Sequence, residues 1–180
     1  MRSTRPCSSF IALLTGLALA FSLAASAATL PKLDLKDLKG TSHTLSEYRG
    51  KIIVLNFWAT YCVPCTTEMP MLSQIQEQYK DKIVVVAASV DDEGTQPSVE
   101  PFIHKLKVEN LSVMLGASLD DLHPWGLQEA LPGTVFIDQE GNIVARVKGQ
   151  LQRPALERQL NEMLHHVQKP ASSPAAPPQN

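Results

Sequence analysis

The sequence predicts an α/β domain built on a mixed central sheet, and three observations carry that reading. Two runs, Ile52-Ile53-Val54-Leu55-Asn56-Phe57-Trp58 and Ile83-Val84-Val85-Val86-Ala87-Ala88-Ser89-Val90, are apolar on both faces, as central strands covered on both sides are. Between them Met69, Leu72, Ile75 or Gln76, and Tyr79 recur at helical spacing, which makes a right-handed βαβ unit. Downstream, Thr134-Val135-Phe136-Ile137-Asp138 and residues 143–148 flank the turn chemistry of Gln139-Glu140-Gly141-Asn142 and read as an antiparallel hairpin.

The other elements follow in order. Residues 33–48 read as a short N-terminal β-hairpin turning at Lys39-Gly40. Val99, Phe102, Ile103 and Leu106 mark a second helix, with Ser98 as its N-cap. Leu156, Leu160, Met163, Leu164 and Val167 share one face of a last helix, and Pro154 sits in its first turn. Residues 119–128 are only weakly periodic.

Composition limits what such a domain does. The chain has 180 residues, 44% hydrophobic and 19% charged, with a net charge of −2, so the broad basic surface of a nucleic-acid binder is missing. Its three cysteines are too few for a disulfide scaffold, and the odd number needs an explanation. The N-terminus supplies one. Arg2 and Arg5 precede an apolar stretch over residues 10–24, and Ala25-Ser26-Ala27 fits the small-x-small cleavage rule, so residues 1–27 read as a signal peptide. The same stretch, extended to residue 28, is just long enough for an uncleaved membrane anchor. Either reading exports the domain, and cleavage removes Cys7, leaving Cys62 and Cys65. Residues 168–180, rich in Pro, Ala and Ser and without a large apolar side chain, are expected to be a disordered tail after a domain spanning residues 30–167.

Cys62 and Cys65 stand where the first central strand passes into the first helix, in the segment Trp58-Ala59-Thr60-Tyr61-Cys62-Val63-Pro64-Cys65. With two residues between them, Cys62 falls just ahead of the helix and Cys65 in its first turn, within bonding reach. The free N–H groups and positive dipole end of that turn favour a thiolate at Cys62, and Pro64 gives up an N–H that has no partner there. A lowered thiol pKa makes Cys62 a nucleophile near neutral pH. Zinc would need further ligands, and His43, His104, His123, His165 and His166 show no matching pair spacing. A purely structural bridge is the other option, but so short a loop is a poor staple. Glu68, one helical turn after Cys65, shares its face and suits proton transfer if half buried; exposed, it would merely complement the helix dipole.

These residues, followed by Glu68-Met69-Pro70, resemble the thioredoxin superfamily, and within it the exported TlpA/ResA-like thiol–disulfide oxidoreductases, with the cytochrome c maturation thioredoxins as close relatives. Leu131-Pro132-Gly133-Thr134-Val135-Phe136-Ile137-Asp138 is similar to that family's cis-proline loop and the strand after it. The resemblance implies a three-layer α/β/α sandwich of the thioredoxin type. It implies Cys62 as attacking thiolate, Cys65 as resolving thiol, Glu68 as proton acceptor and Pro132 as the cis-proline. Trp58, Tyr61, Pro64 and Leu131 would meet the substrate, Trp58 also serving as packing and as a lid. No cofactor or metal is expected beyond the dithiol, and the chain is expected to be monomeric.

Three departures from thioredoxin proper stand out. Asn56 replaces a buried aspartate, which removes that proton relay and leaves Glu68 as the candidate; Tyr61 replaces a tryptophan, and Gly133 a threonine. Val63-Pro64 matches neither the reductant nor the strong-oxidant dipeptide, so redox direction stays open, and a thiol oxidase remains an alternative. A copper-handling protein of the Sco type is another, since thiolates suit Cu(I), with His123 or His104 as the guessed ligand. A peroxiredoxin is disfavoured, because that family's proline and threonine do not precede Cys62. The function expected is reduction of protein disulfides in the periplasm, with electrons from a DsbD- or CcdA-like membrane partner.

Overall fold

In the computed structural model, residues 30–166 are described. The segment expected to be a signal peptide or anchor, the expected C-terminal tail and Val167 lie outside them. The described chain opens with a two-stranded antiparallel hairpin, β1 (Leu35–Lys36) and β2 (Ser42–His43). Asp37 closes its turn by accepting from the backbone N–H groups of Lys39 and Thr41 at 2.9 and 2.8 Å, and Gly40 takes the left-handed conformation the turn requires (φ 84°). The expected hairpin is shorter than residues 33–48, because Leu45–Tyr48 form a 3-10 turn that buries Leu45.

The two apolar runs become β3 (Ile52–Trp58) and β4 (Ile83–Ser89), each buried along its whole length and paired in parallel from Ile52↔Ile83 to Trp58↔Ser89. Helix α1 (Val63–Tyr79) connects them and turns Cys65, Glu68, Met69, Leu72 and Ile75 inward. Pro70 lies inside α1 and deprives the Thr66 carbonyl of its helical donor, yet the helix continues through it. Helix α2 (Val99–Leu106) leads to a strand the sequence reading omitted, β5 (Ser112–Met114), which pairs parallel with β4. Three residues are too short a run to show a period. Ser98 precedes α2 as expected but makes no side-chain capping bond. The hairpin β6 (Gly133–Ile137) and β7 (Ile143–Lys148) and the last helix α3 (Arg153–His166) complete the order β5-β4-β3-β6-β7, with β6 antiparallel to β3.

Strand alternation assigns the faces. Val54 and Asn56 pair with Phe136 and Thr134 and point toward α1, while Phe136 and Val147 line a groove against α3. Trp58, on the same face, packs on Phe102 of α2 with ring centroids 5.8 Å apart. Phe57 points the other way and meets Trp125 at 6.2 Å. That opposite layer is made of the N-terminal hairpin and the weakly periodic segment around the 3-10 turn Asp120–Leu122. Leu122, Trp125 and Leu127 are fully buried there, so among the described residues this side is covered in part by irregular chain.

The β3–β6 junction explains one departure from the family pattern. A Cβ on Gly133 would lie 2.8 Å from the Ala130 carbonyl oxygen and 2.9 Å from Leu127 Cδ1, closer than real contacts allow. Gly133→Ala is therefore expected to destabilise the protein by about 1–3 kcal/mol through overpacking, read as a lower urea midpoint with unchanged slope. A midpoint equal to that of the wild type would show that the loop before β6 yields freely.

Candidate active site

Strand β3 ends at Trp58, and four residues later Cys62 caps α1 from an extended conformation (φ −86°, ψ 100°). Its sulfur accepts from the Cys65 N–H at 3.3 Å, a donor shared with the Cys62 carbonyl at 3.1 Å, so an N–H of the first turn is directed at the atom that becomes the thiolate. Pro64 occupies the first turn, as the pattern required. Cys62 and Cys65 form a disulfide with Cα atoms 5.3 Å apart. Their exposure differs: Cys62 keeps 8% of its surface and Cys65 none. An incoming reactant can reach only the first sulfur.

The surroundings of Cys62 divide into a surface and a floor. Tyr61 and Val63 are 56% and 75% exposed, Pro64 is exposed and Leu131 is half-buried, so an apolar rim surrounds the reactive sulfur. Trp58 is not part of that rim. It is fully buried, its indole N–H has no partner among the described residues, and of the two roles expected for it the structure retains packing and removes the lid. Pro132 is buried behind a cis Leu131–Pro132 bond. Since Gly133 pairs with Phe57, Pro132 stands at the same end of the sheet as Cys62. Its carbonyl accepts from the Gly149 N–H at 2.8 Å, which ties this loop to the connection between β7 and α3. Gln128 and Glu129 approach it in the left-handed conformation (φ 54° and 57°), held by bonds to Lys148 and His123.

Glu68 is the most constrained polar side chain of the site. One turn beyond Cys65, it is 2% exposed, and each carboxylate oxygen has its own donor. Oε1 accepts from Asn56 Nδ2 at 2.7 Å, and Oε2 from the Leu151 backbone N–H at 2.6 Å. Asn56 also donates to Thr134 Oγ1 at 3.1 Å. Burial pushes the Glu68 carboxyl up to about 7, while the bonds from Leu151 and Asn56 pull in the opposite direction. The carboxyl can therefore be both proton acceptor and proton donor near neutrality. Asn56, Thr134 and Leu151 were not among the expected site residues. Asn56 is visible in the sequence as a departure from the family pattern, but nothing there pairs it with Glu68 or directs the Leu151 N–H at the Glu68 carboxylate.

Three of the five histidines are engaged elsewhere: His43 with Glu47 and Asp37, His104 with Glu109 at 3.0 Å, His123 with Glu129 at 3.0 Å. Among the described residues no group of three or more His, Cys, Asp or Glu is arranged to hold a metal ion.

The raised carboxyl has a consequence for stability. Glu68 titrates at 4.5 in an unfolded chain and at about 7 here, so its contribution is fully present below pH 4.5 and is lost as pH rises through 7. Across that window the oxidised wild type should lose up to about 3 kcal/mol relative to Glu68→Gln, measured by urea unfolding at a series of pH values. Parallel pH profiles for the two proteins would mean that the carboxyl is not perturbed.

Comparisons with known proteins agree with this geometry. Residues 27–146 match the AhpC/TSA family. The chain is similar to the thiol-disulfide oxidoreductase ResA of Geobacillus kaustophilus, 32% identical over 136 residues that span 75% of this chain and 76% of the relative. ResA of Bacillus anthracis is 29% identical over 74% of this chain and 75% of its own. Among solved structures, the exposed lipoprotein thioredoxin of Streptococcus pneumoniae strain TIGR4 is 27% identical with a TM-score of 0.62, covering 72% of this chain and 98% of that one. The dsbF protein of MTB superposes with a TM-score of 0.65 at 24% identity over 75% of this chain and 99% of that one, a likeness of fold alone. Oxidoreductases of this kind carry their electrons in the dithiol and use no cofactor. The chain belongs to the AhpC/TSA family and is a thioredoxin-like thiol–disulfide oxidoreductase of the ResA/DsbE type.

Proposed function

We propose that the protein is an exported reductant of protein disulfides, acting as a monomer in the periplasm after removal of residues 1–27. The observation that carries the reading is the asymmetry of the pair: Cys62 reachable at the N-terminus of α1, Cys65 sealed beneath it beside the face that bears Glu68. The Cys62 thiolate attacks one sulfur of a substrate disulfide. The substrate bond breaks, a Cys62–substrate disulfide forms, and the departing thiolate takes a proton from solvent. Cys65 then gives its proton to Glu68 and attacks the Cys62 sulfur. This closes the Cys62–Cys65 bond and releases the second substrate thiolate, which is protonated in turn. Glu68 is suited to the transfer by a carboxyl titrating near 7.

The rim of Tyr61, Val63 and Pro64 offers apolar contact to an extended substrate segment, and the Leu131 backbone stands beside it for strand-like pairing. Each turnover consumes the dithiol, so the cycle needs a donor of two electrons. A DsbD- or CcdA-like membrane dithiol fills that role, and the apocytochromes of cytochrome c maturation are the substrates proposed. Support for the export reading comes from the Arg2, Arg5 and Ala25-Ser26-Ala27 pattern and from the pneumococcal neighbour, which is an exposed lipoprotein.

Cys65→Ala should accumulate covalent adducts through Cys62, resolved by reductant on non-reducing gels, whereas Cys62→Ala should accumulate none. Adducts on Cys65 instead would reverse the roles. In glutathione buffers the pair should equilibrate near −270 mV, as a reductant does; a value near −120 mV would identify an oxidant.

A further inference from the structure

A second buried carboxylate, unused in the steps above, is bonded to the segment that leads into Cys62. Asp91 follows β4 and is 5% exposed. It accepts from the Thr60 N–H at 3.0 Å, from Thr60 Oγ1 at 2.5 Å and from Ser89 Oγ at 2.7 Å. The Ser89 hydroxyl itself accepts from the Asp91 N–H at 3.1 Å, which fixes its proton toward the carboxylate. All three groups therefore donate to an acceptor-only carboxylate, and none is basic. Thr60 is two residues before Cys62, at most about 7 Å along the chain. Two backbone bonds complete the clamp: Val90 N–H to the Trp58 carbonyl at 2.9 Å, and Cys62 N–H to the Ala59 carbonyl at 3.1 Å. The segment that delivers Cys62 is thus fixed to the end of β4 by the Asp91 side chain and by the backbone bond between Val90 and Trp58.

We propose that Asp91 is a positioning residue of the dithiol site: it clamps Thr60 to fix the approach to Cys62, and its charge disfavours the Cys62 thiolate, which keeps the reduced pair a strong electron donor. The charge acts against the helix N-terminus, which favours the thiolate. Its reach is visible at Tyr61, next to Cys62, whose hydroxyl is pushed up by burial first and then by Asp91 and Asp92. The other titratable groups around Cys62 are Tyr61 on the same segment, the exposed Asp92, and Glu68 beyond Cys65. A reduced pair with a disfavoured thiolate gives up its electrons more readily, because the oxidised form has no thiolate to destabilise. At about 10 Å and an effective dielectric near 20, one charge shifts an ionisation equilibrium by roughly tenfold.

The inference rests on Cys62 being the attacking thiol, which the trapping experiment tests separately. Two variants of the full chain decide it, each followed by the pH dependence of Cys62 alkylation in the reduced protein. The second readout is equilibration of the disulfide plus two glutathione thiols with the dithiol plus glutathione disulfide. Asp91→Asn removes the charge and should lower the alkylation midpoint by about one pH unit. At a pH above the alkylation midpoints of both proteins, where reduced Cys62 is the thiolate, it should also move the equilibrium roughly tenfold toward the dithiol, about 30 mV less reducing. Thr60→Val keeps the charge but removes one donor that neutralises it, so its midpoint should rise. Loosening of the segment alone would move both variants the same way, and that result overturns the proposal. If Asp91→Asn does not fold, Thr60→Val decides by itself: a midpoint that falls or stays unchanged overturns the proposal.

Discussion

The site depends on a single buried carboxylate bound from two sides. Glu68 projects from α1, Asn56 from β3 reaches one oxygen, and the Leu151 N–H, from the chain between β7 and α3, reaches the other. Thr134 of β6 holds Asn56 in turn. A charge in this position would be costly without partners, and two hydrogen bonds offset only part of the desolvation, which is why the carboxyl titrates near neutrality. The same bonds join the central strands, the active-site helix and the last connection into one polar knot inside an otherwise apolar core. Since the Gly149 N–H also holds the Pro132 carbonyl, the connection that binds Glu68 also braces the loop beside the disulfide.

Around that knot, chemistry is divided by depth. The helix N-terminus provides donors for a thiolate at Cys62, which retains a small exposed surface within an apolar rim. Cys65, one turn deeper and fully buried, can meet only the partner sulfur and the interior face where Glu68 lies. A substrate protein thus encounters one sulfur at a time, and the second becomes reactive once a proton has somewhere to go. At Thr60, before Cys62 in the chain, Asp91 adds a negative charge and a clamp. The two buried acids are separated in role by their partners: Glu68 accepts from Asn56 and the Leu151 N–H, whereas Asp91 accepts from the Thr60 N–H, the Thr60 hydroxyl and the Ser89 hydroxyl.

Much of this architecture was legible in the residue pattern, for identifiable reasons. Strands β3 and β4 are long, mostly apolar runs opened by β-branched residues, and α1 starts just after Cys62 with Pro64 in its first turn, so the βαβ unit and the placement of both cysteines could be read directly. Strand β5 could not, because three residues at a sheet edge carry no period. The segment over residues 119–128 buries Leu122, Trp125 and Leu127 without helical spacing, so its covering role depends on tertiary contact. Trp58 was assigned to both packing and a lid because its position beside the cysteines suits either; only its burial against Phe102 separates them. Asn56 is the instructive case. Its identity was visible, but its meaning required a partner 12 residues away and another 78 residues away. Backbone donors such as the Leu151 N–H carry no sequence signal at all.

The central claim is that the Glu68 carboxyl is poised near neutral pH by burial and by two fixed donors. It is tested most directly by carbon-13 NMR titration of the Glu68 side-chain carboxyl in the oxidised protein. The account expects a single transition near pH 7. A transition near the ordinary glutamate value of 4.5 would contradict it.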